Sequence, residues 1–513
     1  MTSSISVTSV TSPIGSIGPY EQVRQLGRAR RDFLEAVTRA RATGRPGTLV
    51  SHSLPLPHAV DLPGAWAAAR QLTDDAFLWL SAWGGPGIAT AGRAARLDAA
   101  GAARFTRIRE AWTGLTGPAS HAGPGTGPGT GPGTGPVLVG GFAFAPGEEG
   151  RMILPAVQLR ELPDGGTVLT VNALVDPGTD AARLVEDRFD LAGLLLAAGP
   201  LPAPRPGPSY VDRDERPEAF RQLVTDAVSA IRAAAFDKVV VARKLQVRST
   251  AGEFSVPDAV RRLMDSYADS TVFAVHSRDE SGERCFLGAT PEYLVRLTDG
   301  TAEVLGLAGS APRGATPDED ELLAAGLLTG DKLRREHGLV TKMLEASLSR
   351  VCSGVETEDG PGVLRLANIQ HLATRIRGRL LDPAHTGVLD LAGQLHPTPA
   401  LGGHPSGPAL EWLRANEHLD RGWYAAPVGW TGADGGGEFA VAIRSALVSG
   451  RHAALYAGCG IVEGSEPEAE YQETCAKLLA MSCALGLPPA GAAAAADATD
   501  ATDEVATAAG ALR

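Results

Sequence analysis

Residues 453–479 read "AALYAGCGIVEGSEPEAEYQETCAKLL" and contain the strand and the helix from which the fold can be predicted. The first ten residues are apolar and rich in small side chains, as in a buried strand, and helical spacing follows the turn. Ser465 can act as the N-cap of this helix, and Glu468 can close a capping box. Four polar residues would then share one face of the helix. They are Glu466, Glu470, Glu473 and Lys477.

This acidic stripe permits two interpretations. On an exposed helix the pair Glu473 and Lys477 contributes only about 0.2–0.5 kcal/mol, so the stripe alone is more simply a solvated face. The other interpretation is a metal site, since Glu336 lies on a second amphipathic helix, in "DKLRREHGLVTKML". Carboxylates from two helices suit Mg2+, which takes one or two of them together with water and substrate. A zincin is excluded because Thr341, not histidine, follows His337 by four residues.

Strand-like and helix-like segments alternate from about residue 217 to 486. The strand candidates are "KVVVARKLQV", "TVFAVHS", "EYLVRLTDG", "TAEVLGLAG", "EFAVAIRSALVSG" and "AALYAGCGIV". Several of them are joined by short glycine-containing turns, which predicts an antiparallel sheet with helices packed outside it. Neither GxGxxG nor GxxxxGK[ST] occurs in this part, so nothing supports a nucleotide-binding site.

Two segments rich in glycine and proline divide the chain. "GPGTGPGTGPGTGP" at 123–136 is a low-complexity repeat that cannot form regular structure. The second segment, at 199–217, separates the two halves of the chain. We expect a disordered N-terminus (1–20), an N-terminal part (21–205) with a disordered segment at 117–136, a catalytic core (206–487) and a disordered alanine-rich tail (488–513).

Composition excludes several classes of function. The net charge of −12 argues against a nucleic-acid partner and against attraction to an anionic membrane. The five cysteines are scattered without a CxxC pair, which indicates neither a disulfide framework nor a zinc site. The sequence shows no signal-peptide pattern and no apolar span long enough to cross a bilayer. We therefore expect a cytoplasmic protein.

Two ionisable residues adjoin apolar strands. Lys238 opens "KVVVARKLQV", where it could reach into water from the strand end or act, partly buried, as a general base. Glu292 in "GATPEYLVRL" could face solvent, or it could be held protonated by apolar surroundings and donate a proton. The residues alone leave both alternatives open at each position.

Eight segments occur in the order found in the chorismate-utilising enzymes, and the chain resembles that family. They are "KVVVAR", "GATPEYLVR", "LAGSAPRG", "EHGLV", "QHLATRIRGRL", "LHPTPALGG", "RGWYAAPVGW" and "AGCGIV". The family includes anthranilate, aminodeoxychorismate, salicylate and isochorismate synthases. The resemblance covers roughly residues 215–485 and implies an α+β fold, in which two large antiparallel β-sheets pack together with helices on the outside. The N-terminal part is expected to contribute to the same body.

The resemblance also implies roles for matching residues. Lys238 matches the base that activates water for attack at C2 of chorismate, and Glu292 matches the acid that protonates the departing C4 hydroxyl. Glu336 and Glu473 match direct Mg2+ ligands, and Glu470 matches a water-mediated one. Substrate contacts are implied at His371, Ala400, Leu401, Tyr424, Arg444, Gly458, Gly460 and Lys477.

Three positions distinguish the branches of the family. Members that add ammonia lack a lysine at the position of Lys238, and aminodeoxychorismate synthases carry a nucleophilic lysine where this chain has Ala308. Members that eliminate pyruvate typically have threonine where this chain has Ala400, whereas isochorismate synthases stop at isomerisation. The implied activity is therefore that of an isomerase, a Mg2+-dependent conversion of chorismate to isochorismate for menaquinone or siderophore biosynthesis. The alternatives are a salicylate synthase and a catalytically inactive homologue that acts as a binding protein.

The resemblance has two departures and carries expectations about partners. Ala426 and Cys459 stand where the family usually has glycine and alanine, and both are small changes in tight loops. The expected partner is the small molecule chorismate, with no glutamine amidotransferase subunit. The chain is expected to be a monomer.

Overall fold

The computed structural model describes residues 19–56, 58–117, 134–208, 211–250, 252–365 and 369–487. The segments expected to be disordered lie largely outside these residues. The helices are α1 (Pro19–Ala42), α2 (Leu62–Leu72), α3 (Arg104–Thr116), α4 (Ala181–Leu196), α5 (Pro217–Arg232), α6 (Val256–Ser266), α7 (Pro317–Thr329), α8 (Asp331–Leu348), α9 (Val388–Leu395), α10 (Ser406–Asn416) and α11 (Pro467–Ala484). None of the helices in these residues is long and apolar enough to span a membrane.

Strands occur in both halves of the chain. They are β1 (Thr48–Leu56), β2 (Asp75–Leu80), β3 (Ile88–Ala100), β4 (Val137–Phe142), β5 (Glu149–Glu161), β6 (Thr167–Val175), β7 (Val211–Asp214), β8 (Lys238–Ser249), β9 (Thr271–Asp279), β10 (Gly282–Thr290), β11 (Tyr293–Thr298), β12 (Thr301–Pro312), β13 (Cys352–Thr357), β14 (Gly362–Arg365), β15 (Ile369–Leu380), β16 (Gly403–His404), β17 (Pro427–Gly432), β18 (Gly437–Val441), β19 (Ser445–Ser449) and β20 (His452–Ile461).

Antiparallel pairing joins the strands into one continuous sheet, which divides at β5 into two parts, the first and the second sheet. The first sheet runs β8–β20–β19–β10–β9–β2–β3–β5–β6–β1. The second runs β5–β4–β17–β18–β11–β12–β15. The pairs β2–β9 and β4–β17 join the N-terminal part to the C-terminal half, so both halves of the chain contribute to each sheet.

The two sheets pack face to face through apolar side chains. Phe77 and Phe273 of the first sheet belong to the same buried cluster as Tyr293, Val428 and Trp430 of the second. This arrangement confirms the prediction of two large packed antiparallel sheets.

Helices cover the outer faces of both sheets. Helices α1, α2, α4 and α6 pack on the first sheet through buried residues such as Phe33 and Trp66. Helices α3, α8 and α9 pack on the second through residues such as Ile108 and Leu344. The prediction of external helices is therefore also confirmed.

One segment expected to be a single strand forms two strands in different sheets. "EFAVAIRSALVSG" divides into β18, which pairs with β11, and β19, which pairs with β10. The chain crosses between the sheets at residues 442–444, where Arg444 adopts the left-handed conformation at φ 50°. Because glycine is absent there, the sequence carries no turn signal at the crossing.

The predicted capping box at the start of α11 is wrong. Helix α11 begins at Pro467, and Glu466 is its N-cap without a side-chain cap hydrogen bond. The Ser465 hydroxyl instead accepts the Val462 N–H at 3.2 Å, and Glu468 accepts a hydrogen bond from Arg221 at 2.7 Å. Proline at the first helical position has no N–H, so that position needs no acceptor from a capping side chain.

Candidate active site

Most of the predicted site residues line one cavity. Its volume is about 310 Å³, and its lining comes from β8, β12, β15, β20, α11 and the segments between them. Eleven of the thirteen residues predicted from the sequence belong to this lining. They are Lys238, Glu292, His371, Ala400, Leu401, Tyr424, Arg444, Gly458, Gly460, Glu473 and Lys477.

Lys238 is the first residue of β8 and lies half-buried in the cavity wall. Gly460 lies beside it on β20, where an added Cβ would be only 2.9 Å from Cε of Lys238. Any larger residue at position 460 would therefore displace the lysine side chain. The glycine therefore leaves room for the Lys238 side chain in the cavity wall.

Glu292 precedes β11, and its main-chain carbonyl accepts the Val441 N–H at 2.9 Å. Burial raises the pKa of its carboxyl from 4.5 to about 7, although the nearby cations Lys477, Lys238 and Arg444 oppose this shift. The surroundings therefore keep a large fraction of Glu292 protonated near neutral pH. A carboxyl in this state can donate a proton to a bound molecule.

His371 on β15 is neutral and held by one hydroxyl group. Burial, together with Arg444 and Lys477, lowers the pKa of its imidazole to about 3. Its Nδ1 lies 2.7 Å from the Ser310 hydroxyl oxygen, which also lines the cavity. This hydrogen bond orients an uncharged ring toward the cavity.

Cationic and phenolic groups give the cavity its capacity to hold carboxylates. The Lys477 ammonium donates to the Gly458 carbonyl at 2.9 Å and lies 2.6 Å from a Glu473 carboxylate oxygen. Arg444 and the buried Tyr424 complete this side of the lining. The charges of Arg444 and Lys477 favour a substrate with carboxylate groups.

The carboxylates proposed for a metal ion differ in their placement. Glu473 lines the cavity, and its side chain is 49% exposed. Glu470 lies three residues earlier on α11, outside the lining; burial and then this carboxylate raise the pKa of the Cys459 thiol. Glu336 belongs to α8, but its side chain lies outside the described part of the structure.

The described side chains contain no group of three or more histidine, cysteine or acidic residues that could hold a metal ion. They do contain Glu473, which lines the cavity, and Glu470, which lies one helical turn before it on α11 and outside the lining. Two carboxylates match the number that Mg2+ commonly takes from a protein, because water and substrate oxygens complete its octahedron. The residues present therefore fit a magnesium ion.

The polar residues of the lining that sequence reasoning missed include Ser310 and Arg421. Both lie inside segments that carry the family resemblance, "LAGSAPRG" and "RGWYAAPVGW". Their position in these segments was the one feature of the sequence from which a role in the site could have been predicted. Their contacts depend on distant residues, such as His371 for Ser310, and could not be derived locally.

Comparison with known proteins extends the resemblance to nearly the whole chain. The family described as "Chorismate binding enzyme" matches residues 34–486. Salicylate biosynthesis isochorismate synthase of Pseudomonas aeruginosa is 38% identical over 474 residues, which cover 89% of this chain and 94% of that protein. Isochorismate synthase MenF of Bacillus subtilis is 34% identical over 478 residues, which cover 89% and 97%.

Solved structures show the same relationship. The menaquinone-specific isochorismate synthase MenF of Escherichia coli has a TM-score of 0.72 and 25% identity, covering 90% of this chain and 100% of that one. A putative 2,3-dihydroxybenzoate-specific isochorismate synthase of Bacillus anthracis has a TM-score of 0.65 and 26% identity, covering 81% and 97%. This chain therefore belongs to the family of chorismate-binding enzymes.

Proposed function

We propose that this chain is a Mg2+-dependent isochorismate synthase. The observation that carries the proposal is the cavity that brings Lys238 and the protonatable Glu292 together. Relatives that cover most of the chain are named as isochorismate synthases. The names of relatives refer to salicylate, menaquinone and vibriobactin, which supports a product that supplies menaquinone or siderophore biosynthesis.

The reaction needs one base and one acid. Lys238 takes a proton from the water molecule that attacks C2 of chorismate. The two ring double bonds shift, the C4–O bond breaks, and Glu292 donates its proton to the departing hydroxyl, which leaves as water. One water enters and one leaves, so the product is an isomer of the substrate. Arg444, Lys477 and Tyr424 hold the carboxylates while this happens.

Glu473 and Glu470, together with Glu336, would hold the magnesium ion. When bound, Mg2+ would neutralise the ring carboxylate of the substrate and fix the ring in place.

The Glu473→Gln variant is expected to require on the order of 10–100-fold more Mg2+ for half-maximal activity, because it removes a charged ligand from the site. The measurement is a Mg2+ titration of chorismate turnover, with Mg2+-induced thermal stabilisation as a second readout. The matched control is Glu468→Gln on the same helix, since Glu468 is 60% exposed and binds Arg221 instead of lining the cavity. An unchanged Mg2+ requirement in Glu473→Gln would remove this residue from the ligand set.

Product analysis separates the proposal from its alternatives. The purified chain with chorismate and Mg2+ is expected to form isochorismate without pyruvate, because Ala400 lines the cavity with a methyl group and has no hydroxyl to align the enolpyruvyl group. Release of pyruvate and salicylate by the chain alone would establish the salicylate synthase. Binding of chorismate without its consumption would establish the binding protein. The cytoplasmic location and the monomeric state stay predictions.

A further inference from the structure

A buried ion pair between Arg421 and Glu417 lies beside the candidate active site. The two side chains are 3% and 5% exposed, and the guanidinium donates to the two carboxylate oxygens at 2.6 and 2.7 Å. It also donates to the carbonyl oxygens of Val240 at 2.7 Å and Leu401 at 3.2 Å. These contacts use four of the five N–H groups of an arginine. The guanidinium is therefore bonded mainly to protein groups, and one N–H group is left for a ligand.

The pair completes the edge of β8 where no described strand covers it. β16 and β7 pair with β8 on either side of residues 240–245. Between them, Glu417 accepts the main-chain N–H of Ala242 at 2.7 Å, and Arg421 donates to the main-chain carbonyl of Val240. An acceptor and a donor at alternate residues are what an adjacent antiparallel strand would provide. The ion pair thus replaces a missing strand.

These contacts hold the same strand that carries the proposed base, Lys238. Lys238, Val240 and Ala242 alternate along β8, so they share one face of the strand, and all three line the cavity. The Arg421 guanidinium also holds Leu401, which contributes another part of the same lining. One side chain therefore connects the strand that carries Lys238 with the loop that carries Ala400 and Leu401.

We propose that Arg421 and Glu417 are positioning residues. They hold β8, the strand that carries Lys238, at a fixed distance from the loop that contains Leu401. The proposal rests on the proposed function, which makes Lys238 the base. Lysine cannot replace Arg421, because a single ammonium cannot bind both carboxylate oxygens and two separate carbonyl groups. A misplacement of about 1 Å at a reacting group costs on the order of a hundredfold in rate. Loosening the pair should therefore lower kcat more than it raises KM.

The test uses Arg421→Lys and Glu417→Gln in the full chain. Glu417→Gln is the milder variant, because its amide oxygen can still accept the Ala242 N–H. Turnover of chorismate with Mg2+ is measured per folded molecule, and amide hydrogen exchange is measured in peptides that cover residues 240–245. We expect kcat to fall on the order of 10–100-fold in Arg421→Lys with KM within about threefold. Exchange in 240–245 should become faster in both variants.

The matched control is Arg104→Lys. Arg104 is also buried, at 3% exposed, and donates to the carbonyl oxygens of Pro146 at 2.6 Å and Ala143 at 3.1 Å, outside the cavity lining. This variant should lose stability without losing kcat. Unchanged kcat in both test variants, or an equal loss in Arg104→Lys, would overturn the proposal. Unchanged amide hydrogen exchange in residues 240–245 would overturn the positioning role, whichever reaction the chain catalyses. A parent chain that does not turn over chorismate would instead count against the proposed function.

Discussion

The Lys238→Ala variant is expected to lose on the order of 10²–10⁴-fold in kcat for isochorismate formation, because the attacking water loses its base. The end of the Lys238 side chain lies in the space beside Gly460, and an alanine at position 238 would leave that space empty. KM for chorismate should change little, since the carboxylates of the substrate are held by other residues. The measurement is steady-state turnover with saturating Mg2+.

Lys244→Ala is the control for this variant. Lys244 lies on the same strand but does not line the cavity. Its replacement should leave kcat within about twofold of the parent, because Lys244 contributes no group to the cavity. A Lys238→Ala protein that retains parental turnover would exclude Lys238 as the base.

The Glu292→Gln variant is expected to lose on the order of 10²–10⁴-fold in kcat while folding more stably than the parent in alkaline solution. The amide is close in shape to the carboxyl but cannot donate a proton to the departing hydroxyl with the same ease. In the parent, turnover should fall as pH rises through about 7, because the carboxyl then loses the proton that it must donate. The variant should lack this descending limb.

The stability effect of Glu292 has a definite sign. Its pKa is raised from 4.5 to about 7 in the folded chain, so folding favours the protonated form. The stability from this preference is fully present below pH 4.5 and is lost as pH rises to about 7. Above that pH the charged, buried carboxylate costs up to about 3 kcal/mol, which glutamine avoids.

Urea unfolding of the parent and Glu292→Gln at pH 5 and pH 8 tests this sign. The free energy of unfolding of Glu292→Gln should exceed that of the parent by more at pH 8 than at pH 5. Equal differences at the two pH values would show that Glu292 does not carry a raised pKa. Parental turnover in Glu292→Gln would show that another group protonates the leaving hydroxyl.

Local patterns predicted much of the fold, but not the assignment of strands to sheets. The apolar alternation of "KVVVARKLQV" and the helical spacing after Ser465 were sufficient for β8 and α11. The division of "EFAVAIRSALVSG" was missed, because β18 and β19 are selected by partners far away in sequence. The capping box failed for a similar reason, since the Glu468 carboxylate accepts a hydrogen bond from the distant Arg221 instead.

The candidate site shows the same limit at the level of single residues. Lys238 and Glu292 each had a solvent-facing interpretation, and only the shared cavity brings them together. The family resemblance supplied the residue types, whereas burial, which raises the pKa of Glu292, is a property of the folded chain. Arg421 had no separate signal, because its function as a strand substitute depends on the uncovered edge of β8.

The source of the new hydroxyl tests the central claim most directly. Chorismate and Mg2+ are incubated with the chain in water enriched in ¹⁸O, and the product is analysed by mass spectrometry and NMR. If Lys238 activates water for attack at C2, the isochorismate should carry one ¹⁸O at C2. Unlabelled isochorismate would mean that the hydroxyl group migrates within the substrate and would contradict the proposed roles of both Lys238 and Glu292.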